Sequence, residues 1–102
     1  MSIKKQFLKS KPVCKVTFRV PKEMGNSVQT VHVVGEFNDW DYLAAPMKKL
    51  KSGAFSTCLD LEQGREYQFR YLLDKKNWHN DVDADKFVAT PFGDSENSVI
   101  VL

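Results

Sequence analysis

From Cys14 the chain alternates. Cys14, Val16, Phe18 and Val20 fall on one side and Lys15, Thr17 and Arg19 on the other, the period of a strand with one wet face. The same period returns at Phe55, Thr57, Leu59 and Leu61, set against Ser56, Cys58 and Asp60. It is strongest where Tyr67, Phe69, Tyr71 and Leu73 share a face opposite Glu66, Gln68, Arg70 and Leu72, and the aromatic face is the predicted core. Val28 to Val34 reads as a further strand, a short one forms around Trp78, and the β-branched run Ser98 to Leu102 suits a last, well-covered strand. Turn residues punctuate these runs at Pro21 to Ser27, Ser52-Gly53, Glu62-Gln63-Gly64, Lys75-Lys76-Asn77 and the bend Pro91-Phe92-Gly93. Ala44 to Lys51 is expected to be mostly loop, because Pro46 cannot sit in a regular central strand. Asp81 to Lys86 shows no apolar spacing until Phe87-Val88 and reads as a solvated acidic loop. Six or seven short strands with almost no helical period predict an all-β protein, an antiparallel β-sandwich rather than an α/β fold.

The organisation predicted is one domain over residues 13–102 behind a basic tail, residues 1–12, in which Lys4, Lys5, Lys9 and Lys11 have no acid among them. Within that tail Ile3 to Leu8 is read three ways: a turn of helix, a segment lying along the sheet through Phe7 and Leu8, or disorder. The formal net charge of +2 is too mild for a nucleic-acid footprint. No apolar stretch approaches the roughly 18 residues that span a bilayer as a helix, so neither nucleic acid nor membrane is an expected partner. Cys14 and Cys58 lack CxxC spacing and are expected to be two buried free thiols. With no signal-like opening, the expected location is cytoplasmic.

Motifs for catalysis are missing: no GxSxG, no HExxH and no phosphate-cradling glycine loop occurs. His32 and His79 lie on separate predicted strands without a ligating pattern, so no metal and no cofactor is expected. Asp81-x-Asp83-x-Asp85 opens like a calcium loop, but Lys86 stands where that loop needs glycine.

A binding pattern remains. Gly35-Glu36-Phe37-Asn38-Asp39-Trp40 ends a strand by placing an indole beside turn-forming residues, where Phe37 can tuck under the sheet. Such a Trp either caps the core edge or stands on the turn. Trp40 and Trp78 are the two tryptophans of the chain, and neither lies inside a long alternation. The flat C–H face of a pyranose can lie on an indole while its hydroxyls bond to amide or guanidinium groups. Arg70, turned away from the aromatic core face by strand parity, is a candidate for the second role.

Val33-Val34-Gly35-Glu36-Phe37-Asn38-Asp39-Trp40, then Tyr67 to Asp74, Trp78, Pro91-Phe92-Gly93 and Asn97-Ser98-Val99 together resemble the family 48 carbohydrate-binding module. This is the isoamylase N-terminal or early-set domain, whose members include the glycogen-binding domain of the AMP-activated protein kinase beta subunit. The resemblance covers residues 13–102 and implies an immunoglobulin-like (early-set) sandwich that binds α-1,4-linked glucans such as glycogen, starch and maltooligosaccharides. It implies stacking by Trp40 and Trp78, a hydrogen-bonding role for Arg70 where the kinase domain has Lys, an apolar contact from Phe92 and a polar one from Asn97. The turn before Trp78 and the loop between Gly93 and Asn97 each run a residue longer than the family pattern, which leaves Asp94 and Ser95 without a firm role. The leading reading is a stand-alone, non-catalytic glucan-binding module. The alternative is a protein-interaction or regulatory module of the same fold, acting with a separate glycogen-metabolising enzyme.

Overall fold

A computed structural model describes residues 2–25, 27–90 and 95–102. In chain order the strands are β1 (Ser2–Phe7), β2 (Val13–Val20), β3 (Val31–Gly35), β4 (Lys48–Lys49), β5 (Phe55–Glu62), β6 (Glu66–Leu73), β7 (Asn77–His79), β8 (Lys86–Ala89) and β9 (Glu96–Val101). One turn of α-helix, Lys22–Gly25, precedes β3, and a 3-10 turn, Glu36–Asn38, follows it. Two antiparallel sheets result, ordered β1-β2-β5-β4 and β3-β6-β9-β8, with β7 added to β6. They form the antiparallel β-sandwich expected from the alternation, immunoglobulin-like as the resemblance implies.

Its core lies between β2 and β6. The Phe18 ring meets Phe69 at 5.2 Å and Tyr71 at 6.5 Å, both edge-on, an arrangement that adds to what burial of the rings contributes. Phe37 turns back from the 3-10 turn to within 5.7 Å of Phe18 and 6.1 Å of Tyr67, as its place in the motif predicted. Tyr67, Phe69, Tyr71 and Leu73 all belong to the buried cluster.

Several expectations are corrected. Residues 1–12 are not all tail: Ser2–Phe7 pairs along its whole length with β2, in register from Ser2 opposite Arg19 to Phe7 opposite Cys14. Ile3 packs on the core, and the Lys5 ammonium bonds the Asp85 carboxylate at 2.7 Å and the Val101 carbonyl at 3.1 Å. Asp81 to Lys86 is not a solvated acidic loop, because Asp81 is fully buried and receives the Tyr71 hydroxyl at 2.6 Å. Asp85 in turn accepts from the Val101 N–H at 2.7 Å. Of the two thiols only Cys14 is buried; Cys58 is exposed, since it points outward beside Thr17 from β5.

The strand read as Val28 to Val34 starts at Val31. Residues 45–47 cover its edge, with Val33 N–H donating to Ala45 O and Met47 N–H to Val31 O. Pro46 bridges His32 between those two bonds, where its missing N–H costs no ladder bond. The bend Pro91-Phe92-Gly93 falls outside the described residues.

Candidate functional site

β6 brings Gln68, Arg70 and Leu72 to the outer face of its sheet. Its partner strands are spliced on one side: β9 pairs with Glu66 to Phe69, whereas β7 pairs with Tyr71 to Leu73. Arg70 stands at the change of partner. On the other side β3 runs unbroken, with Val34 opposite Arg70 and Gly35 opposite Phe69.

Gly35 is required there by space rather than by dihedral, since its φ of −173° is extended. A Cβ at this position would lie 2.4 Å from Gln68 O and 2.7 Å from Phe69 Cβ. Past it the chain leaves the sheet. Asn38 holds the turn, its Oδ1 accepting the Gly35 N–H at 3.1 Å while its Nδ2 donates to Val33 O at 3.1 Å. Asp39 and Trp40 follow in the left-handed region with φ of 53° and 59°, and Trp40 N–H closes on Gly35 O at 2.9 Å. A left-handed conformation costs an L-residue roughly 1–2 kcal/mol. Strain of this kind gathers where a side chain must be aimed. Here it carries the indole out of the core and leaves Trp40 39% exposed.

Trp78 arrives by a second tight turn. Asp74 and Lys75 both have positive φ and Lys76 N–H returns to Leu73 O, the geometry of a hairpin turn with both central residues left-handed. Asp74 Oδ1 takes the N–H groups of Gln29 at 2.7 Å and Thr30 at 3.1 Å. Those bonds, with the nearby Lys76 charge, hold its carboxyl below the ordinary range. The turn lays Trp78 across from Leu72, on the outer face, with the indole 46% exposed. His32, on the opposite side of Leu72, is buried, and burial, then the Lys75 charge, lowers its pKa.

Both indoles line one cleft of about 460 Å³ together with Glu36, Gln68, Arg70, Thr90, Ser95 and Asn97. Four of the five residues nominated from sequence, Trp40, Arg70, Trp78 and Asn97, therefore meet in one place. The fifth, Phe92, lies outside the described residues. The polar groups are already ordered before any ligand arrives. Arg70 Nη2 donates to Glu96 O at 2.6 Å, and Asn97 Nδ2 donates to Gln68 Oε1 at 3.0 Å. Among the described residues that pairing leaves the Gln68 amide nitrogen as a donor and Asn97 Oδ1 as an acceptor, and the shielded Arg70 Nε has no partner. Glu36 Oε1 accepts the Gln68 N–H at 2.7 Å, replacing the ladder partner lost where β3 ends. A polar recess of about 290 Å³, formed by His79, Asn80 and Glu96, adjoins the cleft and shares Arg70, Trp78 and Ser95 with it.

Gln68 and Glu36 were missed as site residues although both carried a signal: Gln68 shares Arg70's strand parity, and Glu36 sits inside the motif. Ser95 had been left without a firm role by the longer loop, and Thr90 carried no signal, because its place depends on the hydrogen bond from Thr90 N–H to Ser95 O. Two exposed aromatic faces around a floor that mixes donors and acceptors suit a ligand with apolar faces and a hydroxylated rim. Among the described residues, no group of three or more His, Cys, Asp or Glu could hold a metal ion.

Comparison with known proteins gives one family. The model described as carbohydrate-binding module 48 (isoamylase N-terminal domain) matches residues 15–93, which spans the motif from Gly35 to Trp40, all of β6 and Trp78. No curated protein matches the chain.

Proposed function

The chain belongs to carbohydrate-binding module 48, and from that premise we propose that it binds α-1,4-linked glucans without transforming them, by stacking glucose rings on Trp40 and Trp78. Arg70, Gln68 and Asn97 supply hydrogen bonds to the hydroxyls between those platforms. The observation that supports this reading is the meeting of two half-exposed indoles with an ordered polar floor in a single cleft. The α-1,4 preference rests on the resemblance of the motif string to glucan-binding members of the family.

The energetics favour a weak single site. Covering about 100 Å² of an indole at roughly 25 cal/mol per Å² contributes about 2.5 kcal/mol, so two platforms give about 5 kcal/mol before the cost of association. The expected Kd for maltoheptaose is on the order of 10 μM to 1 mM, with retention on glycogen strengthened by multivalency. Isothermal titration calorimetry, with cello-oligosaccharide as a control, tests the reading, because it also reads a variant that has lost both tryptophans. Trp40→Ala is expected to weaken maltoheptaose binding roughly 10-fold to 100-fold, as the loss of one platform implies, while the protein stays folded, because Trp40 is outside the buried cluster. Arg70→Ala is expected to cost about 1–2 kcal/mol, the worth of a hydrogen bond from a charged donor. Absence of glucan binding by the wild type, or undiminished binding by a folded Trp40→Ala/Trp78→Ala protein, overturns it.

A further inference from the structure

The splice along β6 has to be held together at Arg70, and one side chain does most of it. Asn80, two residues beyond Trp78, accepts from both Ser98 N–H at 3.1 Å and Ser98 Oγ at 2.9 Å through Oδ1. Its Nδ2 donates to Glu96 O at 2.9 Å, the same carbonyl that takes Arg70 Nη2 at 2.6 Å. The next residue continues the join from inside: Asp81 N–H donates to Ser98 Oγ at 2.9 Å, and its carboxylate receives the buried Tyr71 hydroxyl. Ladder hydrogen bonds pin a strand along its length, but β7 has only three residues, paired to β6 alone. Among the described residues, the side-chain hydrogen bonds that fasten the end of β7 to β9 are those of Asn80 and the one from Asp81 N–H.

We propose that Asn80 is a positioning residue for the glucan cleft: by tying β7 to β9 and sharing the Glu96 carbonyl with Arg70, it fixes where the Trp78 platform and the guanidinium stand relative to each other. Asn80 needs no sugar contact for this. Stacking and hydrogen bonding act on the same ring only when the platform and the donor keep their spacing, and small displacements of a positioned group are expensive. The proposal rests on the glucan-binding reading, and the experiment separates the two.

Affinity for maltoheptaose is measured on the wild type, Asn80→Ala and Asn80→Asp, and on Val16→Ala, a core variant in the opposite sheet that lowers stability without touching the cleft. All are compared at a temperature where each is folded. A parallel set carries Trp40→Phe, so that Trp78 is the only fluorophore of its kind. Asn80→Ala is expected to lower affinity roughly tenfold, as loss of one to two net hydrogen bonds' worth of alignment implies, and to change the emission maximum and acrylamide quenching of Trp78 in ligand-free protein. Asn80→Asp keeps both acceptor bonds to Ser98 and loses the donor to Glu96 O; its affinity is expected to fall too, with a smaller change in Trp78 emission, and it decides the matter if Asn80→Ala does not fold. Val16→Ala is expected to bind like the wild type. Affinity within twofold of the wild type for the Asn80 variants, or an equal loss in Val16→Ala, overturns the proposal. If the wild type binds no glucan, the functional reading falls, and Asn80 is judged on ligand-free Trp78 emission and quenching, where unchanged values overturn its positioning role.

Discussion

Replacing Gly35 by alanine isolates one close approach, that of β3 to β6. The new methyl would meet three atoms of the neighbouring strand, at 2.4 Å from Gln68 O, 2.7 Å from Phe69 Cβ and 2.9 Å from Phe69 Cα. Two of the three are backbone atoms, so no side-chain rotamer relieves the clash and β3 must move away from β6. Overpacking of this kind costs roughly 1–3 kcal/mol, and the upper end applies when backbone has to give. Alanine returns about 0.4–1 kcal/mol by restricting the unfolded chain, which leaves a net loss of about 2 kcal/mol. For a domain of this size that is on the order of 8–16 °C in Tm. Gly64 is the internal control: its φ is +78° and nothing lies within 4 Å of a Cβ there. Gly64→Ala therefore pays only for an unfavourable dihedral, roughly 1 kcal/mol less the same unfolded-state gain. Urea denaturation of both variants, followed by tryptophan fluorescence, compares the two costs. Because Trp40 N–H is bonded to Gly35 O, the Gly35 variant is also expected to change Trp40 emission before unfolding begins. Equal stabilities for the two variants, or a Gly35→Ala midpoint matching the wild type, would refute the argument from close approach.

Phe69→Ala is expected to cost roughly 3–5 kcal/mol in a chemical denaturation series, since the ring is fully buried and packs on Phe18 and Tyr71. Asp74 has a folded-state pKa below its ordinary value of 3.8, so its charge contributes stability above that value that is lost as pH falls through the folded pKa. Asp74→Asn is expected to destabilise at neutral pH by an amount that shrinks below pH 3.8, and urea midpoints collected from pH 2 to 7 read this directly; a difference independent of pH would contradict it. Asp81 has the opposite sign: burial, only partly opposed by the Tyr71 hydrogen bond, raises its pKa, so Asp81→Asn is expected to narrow its deficit, or gain, as pH rises above 3.8. Deleting residues 1–8 removes β1 and the Lys5 contacts, so it is expected to lower Tm while leaving maltoheptaose affinity within about twofold, because the cleft is built from the other sheet and the two lysines removed, Lys4 and Lys5, offer a neutral glucan little. A truncated protein that remains folded and loses binding would show that the cleft is not the site.

Much of this protein was decided locally. The period of two along Cys14 to Val20 and Glu66 to Leu73 determined which faces are buried, because in a strand the side of the sheet follows from parity alone. The turn chemistry of Gly35 to Trp40 likewise pointed Phe37 back to the core, but it left the indole either capping the core edge or standing on the turn, and the left-handed backbone at Asp39 and Trp40 decided for the turn. Arg70, Asn97 and Trp78 were legible through parity and through the motif string, without a view of their neighbours. The remaining features depended on which strand runs beside which, and no local signal reports that. Ile3 to Leu8 offered three conformations, and the unpaired edge of β2 selected the strand. Asp81 to Asp85 looked like solvated charge because its partners, Tyr71, Ser98, Val101 and Lys5, are scattered along the chain. Cys58 was expected to be buried as a free thiol, yet its parity, opposite Phe55, Thr57, Leu59 and Leu61, puts it on the wet face. Thr90 entered the picture only through its hydrogen bond to Ser95, and Asn80 only when β9 gave way to β7 beside Arg70. Sequence determined the faces of the strands by their period, and tertiary pairing decided the cleft, because a site made where one strand replaces another exists only once both have docked.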